Sequence, residues 1–260
     1  MNRHTHRTKR SGRWQRLAGA LPVLATLIVV VGVGGFVIVE QQRQVKATQE
    51  ADTVAEAFDA EADAFLAELT EIVEAGRSLP PAELQAQVQA RIAEPPHLAE
   101  FSGEGVESSS AYRDAQYREA TMLDPYVELV DVLGRAALAR DFIAAAQTAL
   151  ALRIEDILGT TTIRDPAVVT GQVIPAFEQA LATFEEVPVP GGQEELAQAV
   201  SAAVQNVIDQ SQLLVNFAAL GQNYSFSYGE QIAEAQEAVR LYGLTVDADV
   251  ATAIDAVLPE

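Results

Sequence analysis

Cysteine is absent from the 260-residue chain. Its absence excludes disulfides, thiolate metal sites, cysteine nucleophiles and the cysteine-linked acyl group of bacterial lipoproteins. Stability must therefore come from the packing of apolar side chains. Because 49% of the residues are hydrophobic, we predict a folded chain with a packed core rather than a disordered one.

Histidine is nearly absent as well: there are three, and His97 is the only one after residue 6. A Ser-His-Asp triad would have to use it, and no G-x-S-x-G motif marks a serine nucleophile. Glu94 and His97 have the spacing of a di-metal ligand pair, but two prolines separate them and no second such pair exists. We predict that the protein is not an enzyme and has no catalytic residue, no cofactor and no metal site. A histidine-dependent hydrolase is the least favoured alternative.

One long apolar run stands near the start of the chain. The 23 residues from Leu17 to Val39 carry no charged side chain. As a helix they would cover roughly 34 Å, enough for a hydrocarbon core of about 30 Å. Secretory signal peptides have a shorter apolar stretch, of about 7–15 residues, followed closely by a cleavage site. The small-residue site at Ala47 lies several residues beyond the run. We predict a retained transmembrane helix over 17–39, with a cleaved signal peptide or a buried soluble helix as the alternatives.

Six basic and no acidic residues precede this run. Since positive charge beside a span stays on the cytoplasmic side, residues 1–16 are predicted to be a basic cytoplasmic tail. Arg13, Trp14 and Arg16 are expected at the membrane interface, in contact with the lipid bilayer. A nucleic-acid-binding arm is the disfavoured reading of the same arginines, so we predict no nucleic-acid partner.

The rest of the chain is strongly acidic. From Glu40 to Glu260 there are 11 basic and 37 acidic residues, a net charge of −26. Such a surface repels nucleic acids and anionic membranes and attracts cations or basic partners. Solubility alone is the simpler explanation of this excess. We predict that this part of the chain lies outside the cytoplasm, anchored to the cell membrane by a single span.

Apolar residues recur at helical spacing along this acidic part, and no run alternates as a strand would. The predicted fold class is all-α, an antiparallel bundle of about six or seven helices. The transmembrane helix continues into a membrane-proximal amphipathic helix over 40–80, and an acidic helical domain follows over 81–260. The first apolar face has steps of three and four: Val54, Phe58, Ala62, Phe65, Leu69 and Ile72.

Prolines and aspartates mark two of the expected helix starts. Asp124-Pro125 and Asp165-Pro166 each offer a capping carboxylate followed by a proline suited to the first helical turn. A proline inside a helix removes one backbone hydrogen bond, so Pro175 is expected to kink or divide the helix behind the second pair.

Near the end of the chain, the pattern predicts one helix over 230–241 and a short final helix over 250–257. We expect Asp247 and Asp249 to cap this last helix. Calcium binding by the two aspartates is disfavoured, because the glycine and the distal glutamate of a calcium-binding loop are missing.

Tyr224, Phe226 and Tyr228 alternate with serines between two predicted helices. In an extended chain their rings point the same way, and aromatic residues often anchor protein contacts. We predict that this segment contacts a partner. The alternative is that the rings pack onto the end of the bundle.

These features favour a single-span bacterial membrane protein whose acidic domain is a non-catalytic protein-interaction or scaffold module with a partner in the cell envelope. The alternative is a helical bundle that senses a small ligand and acts through a partner membrane protein, because residues 1–16 are too few for an output domain. Gly32 and Gly35 share a face of the predicted span, which leaves a homo-oligomer open.

Overall fold

A computed structural model describes residues 36–102, 105–159, 165–222 and 227–258, with the side chains of 36–42 and 105–106 left out. These residues form helices and no strand, so the predicted all-α class is confirmed for them. No helix in the described ranges has both the length and the apolar character needed to cross a bilayer. Most of the predicted span, up to residue 35, lies outside these ranges.

Chain contacts separate a unit of Met1–Arg43 from a unit of Gln44–Glu260. In the first unit, the described residues from Phe36 onward are helical. In chain order the elements are α1 (Phe36–Ala75), α2 (Pro81–Ile92), α3 (Gly105–Ser108), α4 (Ser110–Thr121), α5 (Asp124–Ala151), α6 (Ile154–Leu158), α7 (Pro166–Val168), a π-helical turn (Val169–Val173), α8 (Ile174–Glu185), α9 (Glu194–Ala219) and α10 (Gly229–Val257). Seven of these described helices have twelve residues or more, in agreement with the predicted six or seven.

The apolar face predicted for α1 is buried in the second unit. Phe58, Phe65 and Leu69 are at most 4% exposed. Acidic side chains occupy much of the opposite, solvent-facing side, as the helical spacing requires. The helix ends at Ala75, directly before Gly76, which is a residue that commonly terminates helices.

The first part of α1 packs against α4 and the loop before it. Ser109 is buried at the start of α4, where its hydroxyl accepts a hydrogen bond from the Tyr112 N–H and donates one to Asp52 Oδ1 at 2.6 Å. Ser109 is therefore the N-cap residue of α4. The apolar contacts join Ala51, Ala55, Phe58 and Ala62 to Leu98, Tyr112 and Ala115.

The second part of α1 packs against α2, the first half of α5 and the end of α10. The buried members of this cluster are Phe65, Leu69, Val73, Leu84, Val88, Tyr126, Leu129, Leu133 and Ile254. Four helices therefore share one core here, in which α1 packs against both α5 and α10.

The largest core lies between the second half of α5, the π-helical turn, α8, α9 and the first half of α10. Phe142 and Phe177 are fully buried at its centre. Burial of a phenylalanine or leucine side chain contributes about 1.5–3 kcal/mol each, so this core is the main source of stability in a chain without disulfides.

Helices α5 and α10 are antiparallel partners along most of their length. Arg140 forms an ion pair with Asp247. Further along, Gln236 donates a hydrogen bond from Nε2 to the backbone oxygen of Leu150 at 3.0 Å. As residue numbers rise in α5, they fall in α10, so the two helices run antiparallel.

The prediction of two separate helices at the end of the chain is wrong. α10 continues without a break from Gly229 to Val257, and Asp247 and Asp249 lie inside it rather than at a cap. Gly243 also lies inside α10, although glycine lowers helix stability by about 1 kcal/mol relative to alanine. Burial of Val246 against the core outweighs that local cost.

The two Asp-Pro pairs differ in outcome. Asp165 caps α7, and its Oδ1 accepts the Ala167 N–H at 2.9 Å. Asp124 makes no cap, because α5 starts one residue earlier than predicted and places it in the first turn. A π-helical turn over Val169–Val173 interrupts the regular α-helix shortly before Pro175, but the backbone stays helical from Pro166 to Glu185, so the helix is distorted there and not divided.

Candidate functional site

An open groove with a cavity volume of about 830 Å³ runs between α5 and α10, and we call it the α5–α10 groove. The turn between α8 and α9 borders it through Pro190 and Gly191. Its apolar lining comes from both helices: Leu129, Val132, Ala136, Leu138, Ala139, Leu241, Tyr242, Val246, Val250 and Ala253. The groove exists because α10 is unbroken over residues 241–256, so its walls are two continuous helices.

Two leucines in this lining are strongly exposed. Leu138 of α5 is 55% exposed and Leu241 of α10 is 51% exposed. Single exposed leucines are normal on protein surfaces, but exposed apolar side chains that line a common concave surface mark binding sites. The α5–α10 groove is therefore the candidate functional site.

The charged side chains of the groove are Glu128, Arg135 and Asp249. All three are exposed, and none belongs to an ion pair within the described residues. Five other arginines of the described bundle are ion-paired, among them Arg118, which pairs with Asp59 at 3.1 Å. Unpaired carboxylates beside an apolar surface offer sites for positive charge from a ligand.

Tyr242 stands on the wall of the groove and also packs against the main core, with its ring 6.4 Å from that of Phe142. Burial raises the pKa of the Tyr242 phenol above its ordinary value, and the neighbouring Asp249 carboxylate raises it further. The phenol therefore stays neutral at physiological pH and can donate a hydrogen bond at the edge of the groove.

The aromatic segment predicted to contact a partner is described only in part. Tyr224 and Phe226 lie outside the described residues. Tyr228 is half-buried and packs against the main core, where burial, followed by the Glu155 charge, raises the pKa of its phenol. Its position fits the alternative of packing onto the bundle, while a partner contact through the whole segment stays a prediction.

His97 lies in the loop between α2 and α3 with its side chain 79% exposed. Its Nδ1 is 3.5 Å from Oε1 of Glu119, and the same carboxylate oxygen accepts the Leu98 N–H at 2.9 Å. Glu119 thus fixes this loop to α4. Within the described ranges, no cluster of three histidine or carboxylate side chains is arranged to hold a metal ion.

Arg13, Trp14 and Arg16, predicted at the membrane interface, lie outside the described residues.

The α5–α10 groove was not predicted from the sequence. No usable signal for it exists in the sequence, since single exposed leucines such as Leu138 and Leu241 are normal and only the structure places them on one concave surface.

Comparisons with known proteins return no match: no protein-family model, no curated protein and no solved structure is significantly similar to the chain. A functional proposal therefore depends on the sequence and on the geometry of the groove.

Proposed function

We propose that this chain is a single-span bacterial membrane protein whose acidic helical bundle lies outside the cytoplasm and binds a protein partner. The anchor and its orientation rest on the uncharged run over 17–39 and the six basic residues before it. The non-catalytic role rests on the near absence of histidine, the lack of cysteine and the lack of a nucleophile motif.

The observation that carries the binding role is the pair of exposed leucines in the α5–α10 groove. Covering an exposed leucine removes apolar surface from water, which is the main driving force of protein association. Both α5 and α10 contribute buried residues to two of the described core clusters, so the walls of the groove are held in place before a partner arrives. Rigid sites bind at a lower entropic cost than flexible loops.

A small-ligand sensor is the second candidate, because the groove volume of about 830 Å³ falls within the size range of ligand sites. Ligand pockets usually enclose most of the ligand surface, whereas Leu138 and Leu241 stand more than half exposed. A thermal-shift screen of the full chain separates the two candidates: stabilisation by a small molecule would support the sensor, and none is expected.

The missing cysteines permit a direct test of membrane topology. Ser11→Cys in the basic segment and Gln198→Cys on the exposed surface of α9 each introduce one thiol. In intact spheroplasts, a membrane-impermeant maleimide should label the variant at 198 and should label the variant at 11 only after the membrane is permeabilised. Labelling of both variants, or of residue 11 alone, would refute the proposed orientation.

The binding role needs a separate test in the producing bacterium. In-cell crosslinking followed by capture of the full chain from membranes should yield a defined adduct with a second protein. If only uncrosslinked chain is recovered under several crosslinking chemistries, the protein-binding function is wrong.

A further inference from the structure

The shape of the α5–α10 groove suits a helix better than an extended peptide or a loop. Its α5 wall runs from Pro125 to Ala139, roughly 21 Å at the helical rise per residue. The α10 wall runs antiparallel to it from Leu241 to Ala256, and the two walls face each other over part of these lengths. A short amphipathic helix would lie along the open surface of this groove. The apolar floor, which includes Val132 and Val250, would take the apolar face of such a helix.

Charge favours a basic occupant. The lining holds two carboxylates, Glu128 and Asp249, and one cation, Arg135, and none of the three is ion-paired among the described residues. The surrounding chain from residue 40 onward has a net charge of −26. Two copies of this chain would repel each other over that surface, whereas a basic partner is drawn to it.

We infer that the α5–α10 groove receives an amphipathic helix of net positive charge from a partner protein. This inference rests on the proposed protein-binding function and adds the contact surface and the chemistry of the partner. The apolar face of the helix covers Leu138 and Leu241, and its basic residues lie beside Glu128 and Asp249.

Site-specific photocrosslinking in the full-length chain tests this directly. A photoreactive phenylalanine analogue replaces Leu138 or Leu241 in the groove, and Val127 on α5 or Leu213 on α9 as controls. The two control side chains are also exposed, at 46% and 41%, but do not line the groove. Adducts should form in the producing bacterium at the two groove positions with yields about tenfold above the controls.

The crosslinked peptide, sequenced by mass spectrometry, should carry apolar residues at helical spacing and a net positive charge. An acidic peptide, a peptide without that spacing, or a peptide from a second copy of this chain would overturn the inference. Adducts at the control positions but not in the groove would overturn it while leaving the protein-binding function intact. No adduct at any of the four positions would count against both the groove inference and the protein-binding function.

Two double variants with the same change in net charge test whether the groove attracts a basic helix through its carboxylates. Glu128→Lys combined with Asp249→Lys should reduce adduct yield at position 241 about tenfold. Asp141→Lys combined with Glu195→Lys changes the net charge equally at exposed positions outside the groove, and should leave the yield unchanged. Circular dichroism confirms that both variants are folded. Equal yields from the two pairs would show that the groove does not select positive charge.

Discussion

Truncating Phe142 to alanine tests whether α5, α8 and α10 share the core described above. The Phe142 side chain is completely buried. Its ring lies 5.4 Å from that of Phe184 in α8 and 6.4 Å from that of Tyr242 in α10, centroid to centroid. One side chain thus joins three helices, and its removal leaves a cavity that none of them can close alone.

The expected loss follows from that geometry. Phe-to-Ala changes in protein cores cost about 3–5 kcal/mol, and the cost is high where the neighbours are held on several elements. Two aromatic contacts of about 0.5–1.5 kcal/mol each are part of this loss. For Phe142→Ala we therefore expect the free energy of unfolding to fall by about 4 kcal/mol. In a domain of this size, the melting temperature should fall by roughly 8–16 °C.

Urea and thermal unfolding of the full chain, followed by circular dichroism, measure this change. Leu138→Ala is the matched control on the same helix: its side chain is 55% exposed, so the variant should stay within about 0.5 kcal/mol of the wild type. If the two variants lost the same small amount of stability, the proposed packing of α5 against α8 and α10 would be wrong.

Three further substitutions test other parts of the bundle by the same unfolding measurements. Gly76→Ala should lower the free energy of unfolding by about 1–3 kcal/mol, because a methyl group there would collide with a buried leucine of α2 and lie 2.9 Å from a backbone oxygen of α1. The control Gly171→Ala, where an added methyl group has nothing within 4 Å, should cost no stability. Equal effects of the two substitutions would contradict the close contact at Gly76. Ser109→Ala should lower the free energy of unfolding by about 1–2 kcal/mol, because it removes both the cap of α4 and the hydrogen bond to Asp52 of α1. This loss should exceed that of Asp165→Ala, which removes an exposed cap. A larger loss for Asp165→Ala would refute the buried contact of Ser109. The raised pKa of Tyr242 favours the neutral phenol in the folded state, so the contribution of this phenol to the free energy of unfolding is intact below pH 10.0, the ordinary tyrosine value, and is lost as pH rises through the higher folded-state pKa. Tyr242→Phe should flatten the fall in stability above pH 10.0. A variant with the same pH profile as the wild type would exclude the effect.

The sequence was most informative where one helix face meets one core. In α1 the buried residues follow a simple spacing of three and four, and a glycine ends the helix. Such patterns are local, because the periodicity of a helix determines which residues share a face. The cap at Asp165 was predictable for the same reason, since a capping carboxylate reaches a backbone N–H only two residues away.

Prediction failed where tertiary contacts outweighed local preference. Gly243 and the aspartates at 247 and 249 resemble a helix break, yet α10 passes through them. The Cβ that Gly243 lacks would lie 3.8 Å from Cδ1 of Ile143, at ordinary contact distance, so α5 approaches α10 closely along this segment. From within the helix, Asp247 also pairs with Arg140 of α5. None of these contacts is visible without knowing that α5 and α10 are neighbours.

The candidate site exists only because α10 is continuous. Had the helix broken near residue 245, its second half could have turned onto α5 and covered Leu138. Because burial of Val246 and Ile254 keeps both halves of α10 in line, the helix stays beside α5, and the surface between them remains open. The same core packing that overrides the local sequence preference therefore creates the groove, and its leucines remain exposed because nothing else in the described bundle reaches across to cover them.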